Sequence, residues 1–304
     1  MSDRLTRGLD AMRTQMDTRV MSYMSSCVHC GICAEACLFY TETGDARYTP
    51  IYKTEPLRKL WRQEYTFWGK LAASMGLSKN FTEEGLADWE ELVYDGCTMC
   101  SRCSLVCPAG IDIAYMIRKV KEGLAAAGFS PQDLVDAGKR AVEIGSPMGV
   151  TKTTLEATIR AQEKEYGIKV PLDVDGADYL CLLSSGEIAG FPEFIGSLAK
   201  IFKATGVSWT LSSEYFEATN TGVQLGNSKI AATLLERVVA VAEKLKVKYV
   251  ISPECGHAYT TLRWDAPNII GRPLSYKVVH IIELLDELRR DGRLKTDGIS
   301  TVSY

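Results

Sequence analysis

The chain has 304 residues, 46% hydrophobic and 24% charged, which provides apolar material for a packed core in about two domains. A net charge of −3 argues against a nucleic-acid partner, which asks for a strongly basic face. No apolar run approaches the length of a bilayer span. The opening stretch MSDRLTRGLDAMRTQMDTR is charged throughout and lacks the apolar segment of a secretory signal, so a cytoplasmic protein is expected.

Residues 4–24 place Leu5, Leu9, Met12, Met16, Val20 and Tyr23 at three-and-four spacing, predicting one amphipathic helix over 1–26. Its apolar face is expected to pack on its own domain, with a partner surface as the alternative, because methionines adapt to foreign surfaces. The helix leads into Cys27, Cys30, Cys33 and Cys37, spaced Cys-x2-Cys-x2-Cys-x3-Cys. A long insert follows, with helical patterns at 55–76 and 82–94. Trp61, Tyr65, Phe67 and Trp68 in the first of these are expected to be core that shields whatever the cysteines hold. The same spacing then returns as Cys97, Cys100, Cys103 and Cys107, followed at once by Pro108. A helix over 111–127 should end at Gly128. Another should start at Ser130–Pro131, and residues 171–176 read as a linker.

Eight of the ten cysteines thus fall into two copies of the bacterial ferredoxin spacing, in which three close thiolates grip one [4Fe–4S] cube and the fourth reaches across to the other. Two runs predict two [4Fe–4S] clusters with crossed ligation: Cys27, Cys30, Cys33 and Cys107 on the first, and Cys97, Cys100, Cys103 and Cys37 on the second. Pro108 fixes φ and removes a donor, which should hold Cys107 in place. Zinc prefers tetrahedral sites built from separated Cys-x2-Cys pairs, and the third and fourth cysteines of each run exceed that need. Disulfides would call for an oxidising compartment.

The last third changes period. Runs at 179–185, 208–212, 249–253 and 300–304 read as strands, and helical patterns lie between them at 191–205, 227–245 and 279–290. Such alternation predicts a parallel sheet covered by helices. The fold expected is α+β: a mostly helical two-cluster ferredoxin-like domain at 27–128, a helical connector and linker at 129–176, and a Rossmann-like domain at 177–304. SSGEIAGFP after the first strand is not a dinucleotide fingerprint, so a nicotinamide or flavin site there is unsupported. Ligands in open parallel sheets bind beyond the carboxyl ends of the strands. The third expected strand runs into Glu254-Cys255-Gly256-His257. A helix start favours the Cys255 thiolate, and His257 stands two residues away, which makes the pair a candidate catalytic site. Cys181 reads as a buried core thiol, His280 as structural, and His29 as a neighbour of the first cluster and not a ligand.

The paired runs, the sequence Cys107-Pro-Ala-Gly-Ile-Asp-Ile113 and the strand–helix half resemble heterodisulfide-reductase-like iron–sulfur proteins. That group includes the D subunit (or fused C and B subunits) of heterodisulfide reductase and the iron–sulfur subunits of anaerobic glycerol-3-phosphate dehydrogenase and glycolate oxidase. The segment Ser252-Pro-Glu-Cys-Gly-His-Ala-Tyr259 looks closest to the catalytic subunit of membrane complexes linked to dissimilatory sulfite reductase. The resemblance implies cysteine-rich CCG modules in the second half that bind a further iron–sulfur site. Here no cysteine follows the first strand, Glu217–Gly222 stands where Cys-Cys-Gly is expected, and relatives continue past Thr301–Tyr304 with a second module. Only Cys255 matches a ligand position, so a third iron–sulfur centre is expected only if its other ligands come from outside this chain. The function implied is an iron–sulfur electron-transfer subunit of a flavin- or quinone-linked complex, joined to membrane only through partner subunits. It would relay electrons to or from a disulfide or persulfide centre that includes Cys255 and His257. The alternative is a non-catalytic wire or docking subunit.

Overall fold

The computed structural model describes residues 2–78, 80–218, 220–253 and 255–295. The chain divides into two compact units, one of Met1–Val135 with Gly222–Ser228, the other of Asp136–Thr221 with Lys229–Tyr304. The molecule is α+β. The strand expected at 300–304 lies outside the described residues, as does Glu254.

The first unit is built on the helix pair Asp3–Thr14 and Ile113–Ala127. Leu5, Leu9 and Met12 of one meet Met116, Ile117, Val120 and Leu124 of the other in a single buried cluster. Two glycines permit the close approach. A Cβ added at Gly8 would lie 2.9 Å from Ala127 Cβ, and one at Gly123 would lie 2.4 Å from the Met12 side chain. The single helix predicted over 4–24 is in fact two, Asp3–Thr14 and Thr18–Ser26. Asp17 makes the break: its carboxylate accepts the Val20 N–H at 2.7 Å and caps the second helix. The apolar spacing runs on unbroken because both helices bury the same cluster.

A second break divides the pattern at 55–76 into Glu55–Tyr65 and Phe67–Ser74. The Thr66 hydroxyl donates to Arg62 O and accepts from Gly69 N–H, which turns the chain between them. Trp61 packs against the core. The other three aromatics do not shield anything: Tyr65 is exposed, and Phe67 and Trp68 are 73% and 75% accessible. Helix Phe67–Ser74 buries no residue, and the inward face of this region is supplied by Leu57, Leu60 and Leu86. The pattern at 82–94 becomes a short helix, Glu83–Ala87, and a π-turn, Glu91–Asp95, that delivers the chain to Cys97.

The second unit carries a four-stranded parallel sheet, β1 (Tyr179–Cys181), β2 (Trp209–Thr210), β3 (Tyr249–Ser252) and β4 (Lys277–His280), in the order β2-β1-β3-β4. Tyr179 pairs with Tyr249 and Ser252 with His280. Successive strand residues point to opposite faces. Cys181 and Ile251 face a core with helices Lys152–Tyr166, Glu193–Thr205 and Ile281–Arg290, while Leu180, Val250 and Val278 face helix Ser228–Lys244. Burial on both faces explains why these strands read as continuous apolar runs. Strand β4 corrects the helix predicted from 279. Val278 and Val279 suit a strand, and the helix starts only at Ile281, capped by His280. Among the described residues no helix is long and apolar enough to cross a membrane.

Candidate metal centre

The two cysteine runs adopt the same backbone conformation. In the first, His29 and Gly31 have φ of 55° and 83°; at the equivalent places of the second, Met99 and Ser101 have 54° and 62°. Left-handed backbone on either side of Cys30 and Cys100 curls each loop tightly, a conformation that His, Met and Ser adopt only under constraint. A one-turn helix follows each loop, Ile32–Glu35 and Arg102–Leu105. The last cysteine of each run then donates its N–H backwards, Cys37 to Ala34 O at 2.9 Å and Cys107 to Ser104 O at 3.3 Å. Exposure repeats as well: Cys30 and Cys100 are open to solvent and the other six are half-buried. The second loop is fastened to helix Ile113–Ala127 through Ser104, which donates to Asp112 at 3.1 Å and accepts the Ala114 N–H at 3.1 Å.

Cys27, Cys30 and Cys33 of the first run and Cys107 of the second line one cavity, whose walls include Val28, Ile51, Ile111 and Ile113. Cys37 is not among its lining residues. The Cys37 sulfur lies instead 3.7 Å from Lys53 Nζ and 3.6 Å from Tyr48 O, and Lys53 also donates to Gly96 O, next to Cys97. Burial pushes the Cys33 thiol up, and Cys27, Cys30 and Cys107 raise it further. Burial, then Cys97 and Cys100, push Cys103 up to about 12. Thiols so placed ionise readily only when a metal takes the proton's place. Among the described residues no three ligand-type side chains converge closely enough for a single metal ion. Four thiols lining one apolar-walled space are the donor set that a [4Fe–4S] cube takes.

Two lysines that sequence reasoning passed over flank the second run. Lys53 and Lys121 are each 1% exposed. Lys121 donates to Gln224 O at 3.3 Å and lies over the Tyr94 ring; burial lowers its pKa to about 8 against the opposing pull of Cys97 and Asp95. The only sequence signal was that Lys121 falls on the buried face of its helix, beside Val120 and Leu124.

In the second unit Cys255 follows β3 and is the N-cap of helix Gly256–Thr260, its sulfur accepting the Ala258 N–H at 3.4 Å. A hydrogen bond from the His257 side chain lowers its pKa, against half-burial and with help from the backbone N–H groups of Ala258 and His257. Cys181 is completely buried, as expected. His280 accepts the Ile282 N–H as a helix cap, and His29 is an exposed ring beside Arg58 at 3.4 Å. Glu217, which stands where the resemblance expected a cysteine, bridges alongside Leu183 beyond β1. It is 2% exposed and accepts the Ser185 N–H at 3.0 Å and the Ser185 hydroxyl at 3.0 and 3.1 Å; Ser146 hydrogen-bonds that hydroxyl at 2.8 Å. Oxygen groups that satisfy one another therefore fill this part of the sheet's carboxyl edge.

Residues 23–111 match the 4Fe-4S dicluster domain. Over 249 residues the chain is 26% identical to the Hdr-like menaquinol oxidoreductase iron-sulfur subunit of Archaeoglobus profundus, covering 78% of this chain and 44% of that one. It is 25% identical over 265 residues to iron-sulfur subunit 2 of the same name from Archaeoglobus fulgidus, covering 83% and 47%. It is 23% identical over 283 residues to the D subunit of the dihydromethanophenazine:CoB–CoM heterodisulfide reductase of Methanosarcina barkeri, covering 90% and 64%. The chain thus spans about half the length of the Archaeoglobus relatives. No solved structure matches. The chain thus carries a 4Fe-4S dicluster domain and is similar over most of its length to Hdr-like iron–sulfur subunits, which supports an electron-transfer role.

Proposed function

We propose that this chain relays single electrons through two [4Fe–4S] clusters, as a subunit of a quinone- or flavin-linked Hdr-like complex, to or from a sulfur redox centre. Cys27, Cys30, Cys33 and Cys107 hold one cluster; Cys97, Cys100, Cys103 and Cys37 hold the other. Each cluster, when bound, takes up and gives off one electron. The observation that supports this reading best is the cavity shared by three cysteines of the first run and the last of the second. The two like loops, each closed by a one-turn helix that carries its fourth cysteine away from the first three, add to it.

Cys255 supplies the sulfur nucleophile of the redox centre. Half-buried at a helix start and hydrogen-bonded by His257, it is a thiolate at lower pH than an ordinary cysteine. A disulfide or persulfide substrate suits such a group, because thiolate attack on sulfur is how these bonds open. One thiolate does not hold a cluster, so any third iron–sulfur centre takes its remaining ligands from outside this chain. The second reading, a wire that only docks a neighbour, is favoured by the Ser185–Glu217 pair standing where cysteines were expected. Cys255→Ala separates the two. Loss of disulfide- or persulfide-dependent turnover in the assembled complex, with iron content intact, supports the first; unchanged turnover leaves the wire.

A further inference from the structure

The two cysteine sets have unlike surroundings. Lys53 and Lys121 are the only charged side chains of the first unit that are buried to 1% exposure among the described residues, and both stand beside the second set. Lys53 Nζ is 3.7 Å from the Cys37 sulfur and donates to Gly96 O, next to Cys97. Lys121, 3.3 Å from Gln224 O, lies within electrostatic reach of Cys97. Backbone carbonyls satisfy ammonium hydrogen bonds but do not cancel the charge, and the negative groups that act on Lys121 are Cys97 of the second set and Asp95. The first set instead faces Val28, Ile51, Ile111 and Ile113, and its cationic neighbours Arg58 and Arg62 act on the exposed His29 ring.

A cube on four thiolates is net negative, and reduction adds one further negative charge. Inside a low-dielectric unit, a fixed ammonium stabilises the reduced state more than the oxidised one. We infer that Lys53 and Lys121 raise the reduction potential of the cluster held by Cys97, Cys100, Cys103 and Cys37 above that of its neighbour, so that a single electron entering the pair rests there. The inference rests on the two-cluster reading proposed above. It makes Lys53 and Lys121 tuning residues, which leave the ligands in place and set the downhill direction inside the protein.

The test is a potentiometric titration of the anaerobically purified full chain, followed by EPR, after iron has been counted. Wild-type protein should reduce in two steps separated by at least tenfold in equilibrium constant, about 59 mV for one electron. Cys100→Ser, by changing one ligand, identifies the step that belongs to the second cluster, which should be the upper one. Lys53→Met should lower that step tenfold or more and leave the other where it was; Lys53→Arg, which keeps the charge, should restore most of the shift. Lys121→Met should move the same step in the same direction. An upper step that stays put in both methionine variants overturns the inference, as does movement of the lower step instead. Should the methionine variants not load iron, the wild type alone decides: two clusters reducing at one potential, or the first cluster reducing before the second, overturn it. A wild-type chain that lacks the iron for two cubes defeats the two-cluster reading itself, and the iron count distinguishes that failure from a loaded protein with unmoved potentials.

Discussion

Two side chains beyond the carboxyl ends of the sheet, Cys255 and Glu217, have their ionisation moved in opposite directions. His257 and the helix-start N–H groups favour the Cys255 thiolate. Alkylation of this residue, mapped by mass spectrometry in the cluster-loaded protein, should therefore persist to lower pH than for an ordinary thiol. His257→Ala should move the profile to higher pH, and a profile that does not move removes His257 from its role. Glu217 is the reverse: burial pushes its carboxyl up to about 7, against the hydrogen bonds from Ser185 and Ser146. A raised folded-state pKa means that the native state binds the proton more tightly. Its stabilising contribution is then complete below the ordinary carboxylate range and is lost as pH rises toward 7. The difference is worth about 3 kcal/mol at most by the usual conversion. Denaturant unfolding of Glu217→Gln should show a flatter dependence between pH 4.5 and 7 than wild type; an identical slope would assign the dependence elsewhere. At this scale the eight cysteines stood out because their repeat is one of local spacing. Lys53, Lys121 and Glu217 were not, because their burial is decided by partners far along the chain, such as Gln224 for Lys121 and Ser185 for Glu217.

Among the elements, the pairing of helix Asp3–Thr14 with helix Ile113–Ala127 carries the first unit's core, and it depends on two missing side chains. Gly123→Val would drive a branched side chain into Met12, where even a Cβ lies 2.4 Å away. Such overpacking costs about 1–3 kcal/mol, and thermal unfolding should register it as a lowered Tm. Trp68→Ser makes the opposite case. At 75% exposure its loss should change stability by less than about 0.5 kcal/mol, and a large change would return Trp68 to the core where its sequence pattern had put it. Apolar periodicity located these helices well and their breaks poorly. Asp17 and Thr66 end helices by single side-chain hydrogen bonds inside an unbroken apolar pattern. Strand β4 escaped for a similar reason: Val278 and Val279 abut a strongly amphipathic helix, and only the cap at His280 separates the two periods.

In the whole molecule, α+β character was plain from the change of period after residue 176, and the parallel sheet followed from strand–helix alternation. What the sequence did not disclose is that Gly222–Ser228 belongs with the cysteine-bearing unit, where Leu225 O accepts from Tyr94 at 2.8 Å. Contacts over such separations leave no local pattern to read. The account as a whole depends on crossed ligation: Cys107 completes a cluster whose other ligands lie in the first run. Iron and acid-labile sulfide content with EPR of the reduced protein, compared between wild type and Cys107→Ala, tests this most directly. Wild type should hold about eight irons and show two interacting [4Fe–4S] signals. Cys107→Ala should lose the cluster of Cys27, Cys30 and Cys33 and keep that of the second run. A variant that instead loses the second-run cluster, or a colourless wild type carrying zinc, would contradict it.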